Sequence, residues 1–253
     1  MHLFAGAGGG LLADLILGHT PIVAVEWDNY ACRVLRERAA DGWLPGLEVI
    51  EGDIRSVDFR PYKGRVDCIH AGFPCTDIAV CGPSTGIKGE RSGLYSEAIR
   101  AIDEVRPKYL FLENSPEIVG RGLGYVLADL ALRGYDAEWT ELGASDVWGG
   151  AHRRARWWLL AYDTNSVGRE KIKVQTQIVD SEESWRRELI RVSSEAIRQT
   201  SEPDSERGID ALANQMDQCK AIGNGQVPLC AAAAWRILGG PVMTHDYQLR
   251  EDG

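Results

Sequence analysis

MHLFAGAGGG (residues 1–10) and IVAVE (residues 22–26) decide the fold. The first is a short apolar run that breaks into glycines. It reads as a strand, a tight turn and the start of a helix. The second is a β-branched apolar run that reads as a buried strand. Gly6 and Gly8 let backbone come close to a ligand. Glu26 ends the second strand about twenty residues on, where a carboxylate grips a ribose diol. A Gly-rich turn alone is equally well a plain tight turn. With Glu26 at that spacing, a nucleoside cofactor is the better reading. No Gly-Lys-Ser/Thr follows, which disfavours a phosphate loop. Trp27 either stacks on an adenine or packs in the core. Asp53, in Glu51-Gly-Asp-Ile54 after a third strand, either accepts from an adenine amino group or caps a helix. Only Met1 to Phe4 precede the glycines, so the first strand is weak or the N-terminus is trimmed.

Outward from this pair the pattern repeats. Val66 to Ala71, Tyr109 to Glu113 and Trp157 to Ala161 read as further buried strands. Asn29 to Ala40, Ser96 to Val105 and Leu123 to Arg133 read as amphipathic helices. The alternation predicts an α/β fold, Rossmann-like, with a mostly parallel sheet and helices on both faces. Ligands then bind beyond the carboxyl ends of the strands. From Asp163 to about Asn214 the chain is rich in Ser, Glu, Arg, Gln and Thr and reads as a linker or small module. After Gly223-Asn224-Gly225, an Ala-rich helix over Val227 to Leu238 should dock on the first domain. Residues 241–253 read as a frayed tail.

The 253 residues contain no apolar run long enough to span a bilayer and no signal-peptide start. Both point to an intracellular, cytoplasmic protein. Cys32, Cys68, Cys75, Cys81, Cys219 and Cys230 form no C-x-x-C pair and no Cys/His cluster of zinc spacing, so no metal is expected. They read as buried thiols with one reactive member. The formal net charge of −9 argues mildly against nucleic acid, yet acidic enzymes carry basic grooves. Arg153, Arg154 and Arg156 form one such run, and Arg186, Arg187 and Arg191 another. The plain reading of such runs is solvated surface, and for the second it is equally good.

Three strand ends carry chemistry. Gly72-Phe-Pro-Cys75 places a thiol just past a strand, behind a proline that fixes the backbone, where it is either a nucleophile or, as more often for such a cysteine, structural. Glu113, in Leu112-Glu-Asn-Ser115, can hold a proton for a ring nitrogen, or is a plain salt-bridged residue. His152-Arg-Arg-Ala-Arg156 enters the last strand, where alternate residues Arg154 and Arg156 share a face and suit an anion or a carbonyl oxygen.

The order FAGAGG, EW, GDI, GFPC, ENS, HRRAR and IGNGQVP resembles the motifs of the cytosine-C5 DNA methyltransferases, over about residues 1–162 and 217–238. Residues 86–95 also look like the family's loop between nucleophile and glutamate. The resemblance implies S-adenosylmethionine as cofactor, held by Phe4, Gly6, Gly8, Glu26, Trp27, Asp53, Ile54, Phe73, Leu94 and Asn224. It implies that Cys75 attacks C6 of cytosine, that Glu113 bonds N3 and the amino group, and that Arg154 and Arg156 orient the base and Glu113, with Arg156 near O2. Residues 1–162 and 216–240 would form the catalytic domain and 163–215 a short target-recognition region. The base would be flipped out of duplex DNA, with the loop Thr76 to Arg91 closing over it and Arg91 on the backbone or in the gap. Arg169, Lys171, Lys173, Arg186 and Arg187 are the candidates for further DNA contacts.

The chain departs from the family pattern at Thr76, Ala79 and Cys81 after the nucleophile, and at His152. These put base flipping and rate in question, not the reaction type. The resemblance implies a compact bacterial or phage enzyme, monomeric, acting on double-stranded DNA, with a cognate restriction endonuclease as a further partner. RNA cytosine methylation and a catalytically inactive DNA-binding relative are the alternatives.

Overall fold

A computed structural model of the protein describes residues 1–73, 93–148, 155–167 and 226–241. Its strands are β1 (His2–Leu3), β2 (Val23–Glu26), β3 (Glu48–Glu51), β4 (Cys68–Gly72), β5 (Tyr109–Asn114), β6 (Tyr135–Leu142) and β7 (Arg156–Asp163). They form one sheet in the order β3-β2-β1-β4-β5-β7-β6. The first five pair in parallel. β7 runs antiparallel to both β5 and β6. The two residues of β1 pair with a neighbour on each side, His2 with Ala24 and His70, Leu3 with Val25 and Ala71. A strand this short holds because it is central.

Helices cover both faces, as the alternation predicts. α3 (Leu94–Val105), α4 (Ile118–Arg121) and α5 (Leu123–Ala131) close over Leu3, Val25, Ile69, Leu110, Leu112 and Leu159 on one face. On the other, α1 (Gly9–Ile16) and α7 (Pro228–Ile237) close over Phe111, Trp158 and Leu160, with α6 (Ala144–Trp148) beside α7. α2 (Asn29–Ala40) packs Leu35 against Leu11 and Ala24. It starts where the sequence predicts, because Asp28 accepts a hydrogen bond from the Ala31 N–H at 3.0 Å and caps it. Ala231 to Ala234 are fully buried, small enough for α7 to lie close against Ala13 and Leu17. Trp235 meets the Phe111 ring edge-on, and Phe111 stacks on Trp158. The expected docking of the Ala-rich helix on the first domain is thus observed.

β6 is absent from the sequence reading. Its residues YDAEWTEL bury only Tyr135 and Leu142, and expose Glu138, Trp139 and Glu141. That is the pattern of an edge strand, defended by charge and lacking a continuous apolar signal. The reversal of β7 has a consequence for the site. The carboxyl ends of β1 to β5 lie along one edge of the sheet, and β7 presents its amino end, with Arg156, to that same edge.

Candidate active site

The glycine turn after β1 is built from unusual backbone. Phe4 has φ 57°, a left-handed conformation that costs a non-glycine residue about 1 kcal/mol or more and concentrates at functional sites. Gly6 has φ 54°, and a Cβ there would face open space. The turn is tied to β2 by the Ala5 N–H on the Val25 carbonyl at 3.2 Å and by the Gly6 N–H on Glu26 Oε2 at 2.7 Å. Oε1 of Glu26 accepts from the N–H groups of Trp27 and Asp28, both at 2.9 Å. Buried Glu26 is therefore a brace between turn and strand. A carboxylate has about four acceptor positions, and among the described residues three are taken and one is left for a ligand hydroxyl.

Trp27 is 80 % exposed, which removes the core-packing alternative. Asp53 does cap a turn: it accepts from the Arg55 N–H at 3.0 Å, and the Arg55 guanidinium lies at 3.3 Å. The next residue, Ile54, is buried and held from α3, where Arg100 donates to the carbonyls of Ile54 (2.8 Å) and Val57 (2.9 Å). Phe73 is buried after β4, with its ring 5.1 Å from that of Tyr95. Leu94 opens α3. Phe4, Gly6, Gly8, Glu26, Trp27, Asp53, Ile54 and Phe73 thus all sit at or just beyond the carboxyl ends of β1 to β4.

Glu113 lies at the end of β5, opposite Gly72 on one side and Trp158 on the other. Its Oε1 accepts from Arg156 Nε at 2.8 Å, with both side chains mostly buried. Its Oε2 lies 3.4 Å from Nε2 of Gln226. Next to it, buried Asn114 donates to the Phe73 carbonyl at 2.9 Å and accepts from the Ser115 N–H at 2.8 Å. Asn114 therefore fixes the backbone where it leaves for residue 74. Asn114 and Gln226 both fall in motifs visible in the sequence, but their roles depend on contacts across the fold.

Three of the six cysteines fall among the described residues, and none is poised as a nucleophile. Burial pushes the Cys32 thiol up to about 11 and those of Cys68 and Cys230 up to about 12. Cys75, Arg91, Arg154, Arg169, Lys171, Lys173, Arg186, Arg187 and Asn224 lie outside the described residues. The sequence also gives no sign of a buried polar group beneath the glycine turn. His2 Nε2 is 2.6 Å from Asp14 Oδ2, and the His2 and His70 rings lie 4.6 Å apart. Ligand-type atoms of His2, Asp14 and His70 lie within 4.8 Å of one another. The three belong to β1, α1 and β4, so no local spacing reveals them.

The model of the family described as C-5 cytosine-specific DNA methylase matches residues 1–226. The chain belongs to this family. Among curated relatives, it is 36 % identical over 127 residues to the type II methyltransferase M.Eco47II of Escherichia coli, covering 50 % of this chain and 29 % of that one. It is 37 % identical over 139 residues to M.PspPI of a Psychrobacter species, covering 53 % and 32 %. With M.CviJI of Paramecium bursaria Chlorella virus IL3A it shares 31 % over 163 residues, 64 % of this chain and 42 % of that one. The matched stretch thus spans about a third of the length of the first two relatives. In fold, the chain is similar to a mutant of Spodoptera frugiperda DNMT2, with TM-score 0.62 and 13 % identity over 94 % of this chain and 98 % of that one. That likeness speaks for the Rossmann-like architecture alone. Among the described residues, no helix is long and apolar enough to cross a membrane.

Proposed function

We propose that the chain transfers a methyl group from S-adenosylmethionine to C5 of cytosine in double-stranded DNA, with Cys75 as nucleophile. The observation that carries this reading is the Glu113–Arg156 pair at the catalytic edge, directly across from Gly72, where the strand leading to Cys75 ends. The cofactor fits the residues present. Glu26 retains one acceptor position for a ribose hydroxyl, exposed Trp27 offers a face to adenine, and Gly6 leaves space for close approach. When bound, the cofactor supplies an electrophilic methyl on a sulfonium.

The residues then divide the work. C5 of cytosine is a poor nucleophile. Addition of the Cys75 thiolate to C6 breaks the C5=C6 double bond, whose electron pair moves to C5 and into an enamine formed by C4=C5 and the 4-amino group, so C5 gains electron density. Glu113 holds the proton at N3 that draws charge off C6 during this addition. Arg156 fixes Oε1 of Glu113, so the carboxylate meets the ring at a set angle. Loss of the C5 proton, with water as a candidate base, and release of Cys75 restore the ring. A target inside a duplex is flipped out at a cost of a few kcal/mol.

Covalent trapping tests the proposal. The chain and S-adenosylmethionine are incubated with duplex DNA carrying 5-fluorocytosine, beside a matched RNA. Fluorine does not leave as a proton does, so a working enzyme stalls on the base. The expected product is a denaturant-resistant DNA adduct that maps to Cys75 by mass and is absent in Cys75→Ser, while cofactor binding persists. An adduct on RNA alone overturns the DNA assignment. No adduct on a random-sequence pool overturns catalysis and favours an inactive relative.

A further inference from the structure

Three glycines from two elements make room for one residue, Gly9 for the backbone of Gln226 and Gly10 and Gly72 for its side chain. A Cβ on Gly9 would lie 2.2 Å from the Gln226 carbonyl oxygen, one on Gly10 would lie 2.7 Å from Gln226 Oε1, and one on Gly72 would lie 3.0 Å from Gln226 Nε2. Gln226 is thereby seated between the start of α1, the end of β4 and Glu113. Its amide has only one sensible orientation. A carboxylate oxygen accepts, so the NH2 end faces Glu113 Oε2, at 3.4 Å. The carbonyl end then faces Gly10, near His2 and His70. The other Glu113 oxygen is held by Arg156. The carboxylate is gripped at both oxygens, by a cation on one side and a neutral amide on the other.

We propose that Gln226 is a positioning residue for Glu113, whose amide fixes the second carboxylate oxygen once residues 226 and 227 dock on Gly9 and Gly10. The contact couples the carboxylate to the same turn that would receive the cofactor. Its length, 3.4 Å, is at the long end for a hydrogen bond, as catalytic contacts often are before substrate closes the site. The inference rests on the reading of Glu113 as the carboxylate that faces the ring.

The test compares Gln226→Met, which keeps length and loses the donor, with Gln226→Glu, which keeps shape and adds a like charge. Four quantities are read on the full chain: thermal melting, S-adenosylmethionine affinity by calorimetry, the rate of 5-fluorocytosine adduct formation, and the pH profile of kcat. Gln226→Met is expected to hold cofactor affinity within about threefold and lower the adduct rate about tenfold, the scale of one lost hydrogen bond to a charged group. Its kcat profile moves to higher pH, because the ionised carboxylate has lost a donor. Gln226→Glu moves it further. A purely structural side chain would lower melting and cofactor affinity together and leave the profile in place. Wild-type rate and profile in Gln226→Met overturn the proposal, as does a rate loss matched by the affinity loss. Carbon-13 titration of the Glu113 carboxyl reads the contact without turnover. If the wild type forms no adduct on any cytosine, the reading of the site fails, and an unchanged Glu113 titration in the variants sinks the role of Gln226 separately.

Discussion

Gly9→Ala is expected to destabilise the protein, although alanine is the better helix former. Gly9 opens α1 with an ordinary helical backbone, since it is not among the glycines of positive φ. On propensity alone the change is worth up to about 1 kcal/mol in favour of alanine. The new Cβ, however, falls 2.2 Å from the Gln226 carbonyl oxygen, where separations under 3.0 Å essentially never occur. Some 0.8 Å of movement is required, the difference of those two values. Both groups are tied to backbone, so no rotamer change relieves the contact. Overpacking of this kind costs roughly 1–3 kcal/mol, which outweighs the propensity gain. For a chain this size the overpacking alone is a melting-point fall of about 2–12 °C, reduced by whatever the propensity gain returns. Gly124→Ala is the internal control. It lies exposed in α5 with nothing within 4 Å of its Cβ, and is expected to gain a few tenths to about 1 kcal/mol. Urea melts of the two variants against wild type decide the matter. A Gly9→Ala chain as stable as wild type would falsify the close docking of residue 226 on α1.

Glu26→Ala should weaken S-adenosylmethionine binding tenfold or more and also cost about 1–3 kcal/mol of stability, because three backbone N–H groups lose their acceptor; Trp27→Ala should lower affinity with melting unchanged. Calorimetry beside thermal melts separates the two, and a Glu26→Ala chain of wild-type stability would refute the bracing role. Arg156→Met should reduce the adduct rate at least tenfold while S-adenosylmethionine still binds, since it removes the cation that holds Oε1 of Glu113. Stability should fall as the pH drops below 6.5. Burial lowers the His2 and His70 values, so both bind protons less readily in the folded chain than in the unfolded one, and stability is lost as the unfolded chain gains them. His19 acts in the opposite sense. Burial lowers it, but Asp14 and the Pro241 carbonyl outweigh that and raise it, so its contribution is present below 6.5 and is lost as the pH rises through the raised value. Urea melts at pH 7.5 and 5.5 should show a smaller acid loss in His70→Leu than in wild type; equal losses would remove His70 from the account.

The parts of the fold that a local stretch of chain encodes are legible in the sequence. The glycine turn, Glu26 at the end of β2, Glu113 at the end of β5 and the start of α2 at its Asp28 cap each follow from a few adjacent residues. β7 is legible as a strand but not in its direction. A continuous apolar run such as WWLLA is buried whichever way it points. Trp27 is ambiguous for the same reason, because an aromatic beside a strand end suits core and ligand alike, and only its exposure decides. Gln226, Asn114 and the His2–Asp14–His70 group escape a sequence reading because each acts on a residue brought near by folding, in the case of Gln226 one that lies 113 positions away.

The reversal of β7 bears on how the chain could be shortened. Arg156 stands at the edge of the sheet where the parallel strands end, and Asp163 ends the same strand seven residues on, roughly 23 Å of rise away. Gln226 lies back beside Glu113. Residues 168–225 therefore join two points on opposite edges of the sheet. A deletion that removed them outright would tear α7 from its seat, and a Gly-Ser graft needs roughly seven or eight extended residues simply to make the climb. Below that length the linker itself would pull Gln226 away from Glu113; above it, residues could be removed in steps from the middle, and the length at which the proposed methyl transfer disappears before folding does would measure how much of the segment serves that activity rather than distance.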